Sequence, residues 1–206
     1  NAKICVGGYL ATDAYDLVLN ECLEIDFVVL GFGEHPLYEA VRSIINGEPL
    51  SQLESIATRN DIVKKLPNTK EIPKGCWPSR DLLVESIKRG CYTARISTSR
   101  GCCGNCTFCS ANQFSKAANT KRWTGRDISD VYNEVLNIYN EFGIRSFTFN
   151  DGSFEDPGQL GKQRILDFCN AVVSHDTEPF SFWCFIRADS FCENDLSLIQ
   201  LMRKSG

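Results

Sequence analysis

Residues 100–110 read RGCCGNCTFCS and place Cys102, Cys103, Cys106 and Cys109 within eight positions. Four thiols this close together have three chemical uses: disulfides, a zinc site, or an iron–sulfur cluster. A disulfide inside so short a loop is strained and leaves a reactive odd thiol beside it. Structural zinc takes four ligands, commonly two C-x2-C knuckles a dozen or more residues apart. Cys103-x2-Cys106 makes one such knuckle, but His35 and His175 stand far off in sequence. Cys102-x3-Cys106-x2-Cys109 puts three thiolates on one tight loop, with Gly101 and Gly104 supplying backbone freedom. A cubane cluster held by only three thiolates keeps one iron open to a small molecule, which favours catalysis over plain electron transfer. A zinc or passive-cluster binding module stays as the alternative.

The rest of the chain must position that loop. At 206 residues, with 43% hydrophobic and 23% charged residues, the composition is that of an ordinary soluble globular protein. A net charge of −4 without a long basic run argues against a nucleic-acid partner, and no apolar stretch is long enough to span a bilayer. Eleven cysteines, an odd number, with no signal arrangement at the start, point to a reducing cytoplasmic setting. Cys5, Cys22, Cys76, Cys91, Cys169, Cys184 and Cys192 are expected to be small buried hydrophobes.

Residues 1–66 alternate strand-like and helix-like runs. The expected elements are a strand at "KICVGG", a helix at "TDAYDLVLNECL", a strand at "IDFVVLGFG", a helix at "HPLYEAVRSIING" and a hairpin turning at Asn60-Asp61. Three prolines mark 67–91 as a linker ending in a short helix. From residue 92 three strand–helix units follow, with strands at "YTARIST", "IRSFTFND" and "FSFWCFIRAD". Val131, Val135, Ile138 and Phe142 fall on one face of the first of the helices, and Phe147, Phe149, Phe180, Phe182 and Phe185 read as interior. Alternation of this kind implies a parallel sheet with crossover helices, whose chemistry sits at the carboxyl ends of the strands. The cysteine loop, "NDGSFED" and "RADSF" all lie at such ends.

"RISTSRGCCGNCTFCS" resembles the cluster loop of the radical S-adenosylmethionine (SAM) superfamily, whose signature is C-x3-C-x-aromatic-C after the first barrel strand. The resemblance implies that Cys102, Cys106 and Cys109 bind a four-iron four-sulfur cluster and that Phe108 lies near the adenine of SAM. Cys103 would replace Cys102 in a C-x2-C-x2-C register. The superfamily's SAM chelates the open iron, and one electron from a reductant such as flavodoxin or ferredoxin splits it into methionine and a 5′-deoxyadenosyl radical. Asn150-Asp151 stands where many members carry Gly-Gly-Glu, so Asp151 is the expected acceptor for the SAM ammonium group. Its other reading is a turn or cap residue. Arg187 is expected to meet the SAM carboxylate, oriented by Asp189, or else to form an ordinary structural pair. Glu155 and Asp156 read as helix-start residues, Trp123 as core and Arg126 as solvated.

"ICVGGYLAT" followed by "GFGEHPL" resembles the carboxy-terminal part of the cobalamin-binding domain that precedes some radical SAM domains, with Gly7-Gly8 as its Gly-Gly element. The upstream Asp-x-His-x-x-Gly is absent, so cobalamin is expected to belong to a longer parent and not to these residues alone. The expected architecture is therefore α/β: a partial Rossmann-like parallel sheet (1–66), the linker (67–91), and half of a six-unit (β/α) radical SAM barrel (92–206). The chain reads as a piece of a cobalamin-type methyltransferase or related radical enzyme. A cobalamin-independent radical SAM enzyme is the nearest alternative, and the substrate is not legible.

Overall fold

The short apolar runs become short strands and the amphipathic runs become helices in the computed structural model, which describes residues 2–60, 72, 74–175 and 179–206. In chain order the elements are β1 (Cys5–Gly7), α1 (Tyr9–Asp13), α2 (Tyr15–Glu21), β2 (Phe27–Val29), α3 (Glu34–Asn46), β3 (Ile56–Ala57), α4 (Leu83–Lys88) and β4 (Thr93–Ile96). They continue with β5 (Ser99–Gly101), α5 (Ala111–Ala117), β6 (Trp123–Gly125), α6 (Ile128–Phe142), β7 (Ser146–Phe149), α7 (Gly158–Val173), β8 (Ser181–Trp183) and α8 (Leu196–Ser205). The chain divides into two units, Asn1–Lys70 with Gly104–Arg122, and Glu71–Cys103 with Trp123–Gly206. The division passes through the cysteine loop, between Cys103 and Gly104, so residues 104–122 group with the first seventy.

In the first unit the sheet order is β1-β2-β3, with β1 parallel and β3 antiparallel to β2. The central strand is apolar on both faces and wholly buried, as a covered strand requires. Val28 packs with Ala11, Leu19 and Leu30 on one face, while Phe27 and Val29 pack with Ala40 and Ile56 on the other. The single helix expected over 12–23 is instead two helices broken at Ala14. Thr12 is drawn inward, where its hydroxyl accepts a hydrogen bond from the Gly31 N–H at 3.0 Å. The strand expected before Asn60 is β3; the hairpin's return from Asp61 lies outside the described residues. The unforeseen α5 docks through buried Phe114, whose ring meets Tyr9 and Phe32 edge-on at 4.5 and 5.6 Å.

In the second unit β4, β7 and β8 form a parallel sheet in sequence order, with α6 and α7 on the connections. Asp127 caps α6 by accepting from the Ser129 N–H at 2.9 Å. Val131, Val135 and Ile138 are buried as their spacing predicts, against Ile96, Phe147, Phe149, Ile165 and Phe168. Burying a side chain of this size stabilises by about 1.5–3 kcal/mol. Phe147 stacks on Phe182 at 5.6 Å, and Phe180 joins the same cluster. Phe185 does not: it lies beyond the paired part of β8, is 54% exposed, and packs edge-on against exposed Trp183. Residues 74–82 of the linker form neither helix nor strand before α4, and are tied to α6 where Gly75 N–H and Trp77 Nε1–H both donate to Asp130.

The cysteines correct a second expectation. Cys169 is buried and Cys184 half-buried, but Cys5, Cys22, Cys76, Cys91 and Cys192 are exposed. Cys5 lies in an apolar run but on an open strand face, and the others sit at a helix end and in loops. Cys192, for example, caps a turn, with its sulfur 3.2 Å from Asp195. No helix among the described residues is long and apolar enough to cross a membrane.

Candidate cluster-binding site

The site is built from the end of β4 outward, and its backbone is held by charge. Asp151, at the end of β7, accepts at one oxygen from the N–H groups of Thr98 and Ser99, at 2.7 and 2.9 Å, and at the other from the Thr98 hydroxyl. The neighbouring carbonyls are held by three guanidiniums. Arg80 donates to the Arg95 carbonyl at 3.0 Å, Arg126 to that of Ser97 at 2.8 Å, and Arg164 to that of Thr98 at 2.6 Å. The backbone that enters the cysteine loop thus has its donors met by one carboxylate and its acceptors by cations, which fixes it more firmly than neutral bonds would.

These cations are themselves arranged. Arg126, expected to be solvated, is buried and pairs with Asp130 and Glu134, both at 2.6 Å. Fully buried Glu134 also takes Arg80 at 2.6 Å. Burial works against the Arg126 charge, but Asp130 and Glu134 outweigh it and raise the pKa. Arg164 donates to carbonyls, and burial lowers its pKa to about 10 despite the attraction of Asp151. Burial also holds the Asp151 carboxyl above the usual carboxylate range, against the pull of Thr98 and Ser99.

From this base the ribbon of β5 and β6 leads to Gly101, at φ 84°, and Cys102. Gly152, beside Asp151, allows a close approach: a Cβ there would lie 2.9 Å from the Gly101 carbonyl oxygen. Cys102 and Cys103 are half-buried. Asp156 accepts from the Cys103 N–H at 2.7 Å and binds Arg187 Nη1 with both oxygens, at 2.8 and 2.9 Å. The same Nη1 stands 4.0 Å from the Cys102 sulfur, and Arg187 Nε donates to Asp189 at 3.2 Å. Glu155 accepts from the Arg187 N–H and the Ser190 hydroxyl, while its second oxygen is buried without a partner. Asp156 and Glu155 are therefore not simple helix-start residues, since α7 begins at Gly158 and both side chains are almost fully buried at the site. An acidic pair just past the end of a strand was the signal available for them. Trp123 is half-buried, with its indole N–H donating to the Ser153 carbonyl.

Of the expected ligands, Cys102 belongs to the second unit, and Cys106 and Cys109 to the first. The latter two are exposed, and between them Phe108 is 92% exposed. Asn150 is exposed at the end of β7. Elsewhere, His35 stands 3.9 Å from Glu39 and His175 packs edge-on against Tyr132. Among the described residues no three His, Cys, Asp or Glu side chains are gathered at metal-binding spacing. The donor set nonetheless fits an iron–sulfur cluster: three accessible thiols not paired in disulfides, next to glycine, with a guanidinium beside one sulfur.

No family model matches the chain. Among curated proteins it is 35% identical over its whole length to an uncharacterised methyltransferase of Pyrococcus horikoshii, of which it spans 44%. It is 26% identical over its whole length to the anaerobic magnesium-protoporphyrin IX monomethyl ester cyclase of a Synechocystis species, of which it spans 40%. Among solved structures, OxsB, a cobalamin-dependent SAM radical enzyme, superposes with a TM-score of 0.73 at 22% identity, over 98% of this chain and 30% of that one. The radical SAM methyltransferase TsrM of Kitasatospora setae gives 0.69 at 16%, over 98% of this chain and 40% of that one. The chain thus spans less than half the length of these proteins. In sequence the chain is related to a methyltransferase and a cyclase, and over the part it spans its fold is that of the cobalamin-dependent radical SAM enzyme OxsB and the radical SAM methyltransferase TsrM.

Proposed function

We propose that Cys102, Cys106 and Cys109 hold a four-iron four-sulfur cluster used with SAM, and that the whole protein is a cobalamin-dependent methyltransferase or a related radical modification enzyme. The observation that carries the reading is a three-thiol loop leaving a strand end clamped by Asp151, Arg126 and Arg164. When bound, the cluster supplies the electron that splits the sulfonium bond of SAM.

The chain's own residues do the rest by position. Asp151 braces the loop instead of receiving the SAM ammonium group, because both its oxygens are already engaged. Arg187, fixed by Asp156 and Asp189, presents a guanidinium beside Cys102, where it meets the SAM carboxylate. Phe108 offers its exposed ring to the adenine, and Asn150 an amide at the exposed end of β7. The parallel β4-β7-β8 sheet is read as the first half of the radical SAM barrel, over residues 92–206. Residues 1–66 are read as part of the cobalamin-binding-like domain, with 67–91 as the linker. Cobalamin then belongs to the whole protein, and a flavodoxin or ferredoxin in the cytoplasm supplies electrons. The names of the curated relatives, a methyltransferase and a cyclase, support this class of chemistry.

The test is iron and sulfide content after anaerobic reconstitution. Cys102→Ala, Cys106→Ala and Cys109→Ala each lose the cluster and Cys103→Ala keeps it. Loss of iron in Cys103→Ala, with retention in Cys102→Ala, would overturn the ligand assignment.

A further inference from the structure

One guanidinium nitrogen meets both a thiol of the cysteine loop and a buried carboxylate. Arg187 Nη1 stands 4.0 Å from the Cys102 sulfur and 2.8 and 2.9 Å from the two Asp156 oxygens. Asp156 reaches the same loop by a second route, accepting from the Cys103 N–H at 2.7 Å. Cation and carboxylate therefore adjoin neighbouring residues of the loop, although the first follows β8 and the second precedes α7. Both are held in place. The Asp156 side chain is 1% exposed, and the Arg187 backbone N–H donates to buried Glu155 at 3.0 Å. Asp189 also takes Arg187, through Nε at 3.2 Å, but its side chain is 82% exposed and water screens its charge.

A pair that only pinned two strand ends together would not need to touch the loop. This one puts a positive charge beside a sulfur that the cluster assignment makes a ligand. The reduction potential of an iron–sulfur cluster depends on nearby charge and on hydrogen bonds to its sulfurs. One electron taken from an external donor adds a negative charge to a group already negative through its three thiolates. A guanidinium beside the sulfur favours that gain and a carboxylate opposes it, with little screening where the carboxylate is buried and the guanidinium mostly so. We propose that the Arg187–Asp156 pair sets the potential at which the cluster accepts an electron, Arg187 raising it and Asp156 holding it down. The inference rests on Cys102 being a ligand, and goes beyond that by giving opposite electrical roles to two residues that are not ligands themselves.

Redox titration of the anaerobically reconstituted whole protein, without SAM and followed by electron paramagnetic resonance, tests this, with iron and sulfide measured on each variant. Arg187→Gln is expected to lower the potential, and Asp156→Asn, which keeps an acceptor for the Cys103 N–H, to raise it. Each shift is expected to be about tenfold or more in the equilibrium constant for reduction, which is about 59 mV for one electron. Arg187→Lys, which keeps the charge, stays closer to the wild-type value than Arg187→Gln, and the double variant Arg187→Gln with Asp156→Asn returns towards it. Shifts of one sign in both single variants, or unchanged potentials in variants that hold a full cluster, would overturn the inference and leave the cluster assignment standing. Should Arg187→Gln take up no cluster, Asp156→Asn decides: no rise in its potential overturns the inference. Wild type without a cluster would overturn both.

Discussion

Asp151 separates a structural brace from a ligand-binding carboxylate, and two substitutions tell them apart. In Asp151→Ala the N–H groups of Thr98 and Ser99 and the Thr98 hydroxyl lose their acceptor in a buried setting. An unsatisfied buried group costs about 1–3 kcal/mol, so two or three of them, partly relaxed, cost about 3–5 kcal/mol. Asparagine has nearly the same shape. Its Oδ1 accepts from both N–H groups, and its Nδ2 donates to the Thr98 hydroxyl oxygen. It loses only the attraction between Asp151 and Arg164, offset by relief of a desolvated charge, so Asp151→Asn costs about 1 kcal/mol.

The pH dependence has a definite sign. Burial raises the folded pKa of Asp151 above the unfolded value of about 3.9, so the folded state holds the proton more tightly. Wild type therefore gains stability relative to Asp151→Asn as pH falls through the folded pKa, and the gain is complete below about pH 3.9. Urea denaturation at a series of pH values from 7 to 4 measures both effects. If Asp151→Asn were as costly as Asp151→Ala at pH 7, keeping the acceptor geometry would count for nothing, and the brace argument would fail.

The other predictions concern the acidic partners. Asp156→Ala and Arg187→Met each destabilise by about 2–4 kcal/mol, with a double-mutant coupling of at least about 1 kcal/mol, because each leaves the other charge unpaired. Additive losses in denaturation would show that the pair is not formed. Burial would raise the Asp156 pKa, but the Cys103 N–H and Arg187 outweigh it, so this contribution is present above about pH 3.9 and lost as pH falls towards the lowered folded value. Glu134→Ala strands Arg80, leaves Arg126 with Asp130 alone and costs about 3–5 kcal/mol, whereas Glu85→Ala, which breaks the exposed pair with Lys88, costs under about 1 kcal/mol. Equal melting temperatures for these two variants would refute the role given to the buried network.

Periodicity made the strands and longer helices legible, because Val131, Val135 and Ile138 or Phe147 and Phe149 repeat at the spacing that puts them on one buried face. It failed where tertiary contacts decide. The break at Ala14 follows from Thr12 turning inward to Gly31, which no local pattern announces. Phe185 and Cys5 are apolar by type but lie where nothing in these units covers them. At the proposed site, the cysteine spacing singles out its loop in the sequence because ligand geometry constrains spacing directly. Its supports were not legible: Arg126 looks like a solvated cation until Asp130 and Glu134, one and two turns along α6, are seen to meet it. Asp156 and Arg187 are separated by more than a helix and a strand, and only the fold brings them to the cysteine loop.

The central claim is that three cysteines hold a cluster with one iron open to SAM. The direct measurement is the electron paramagnetic resonance spectrum of the anaerobically reconstituted, reduced protein before and after adding SAM. The account predicts the signal of a reduced four-iron cluster whose g values shift when SAM is added, and the loss of that signal in Cys106→Ala. A cluster spectrum indifferent to SAM, or stoichiometric zinc in place of iron, would contradict it.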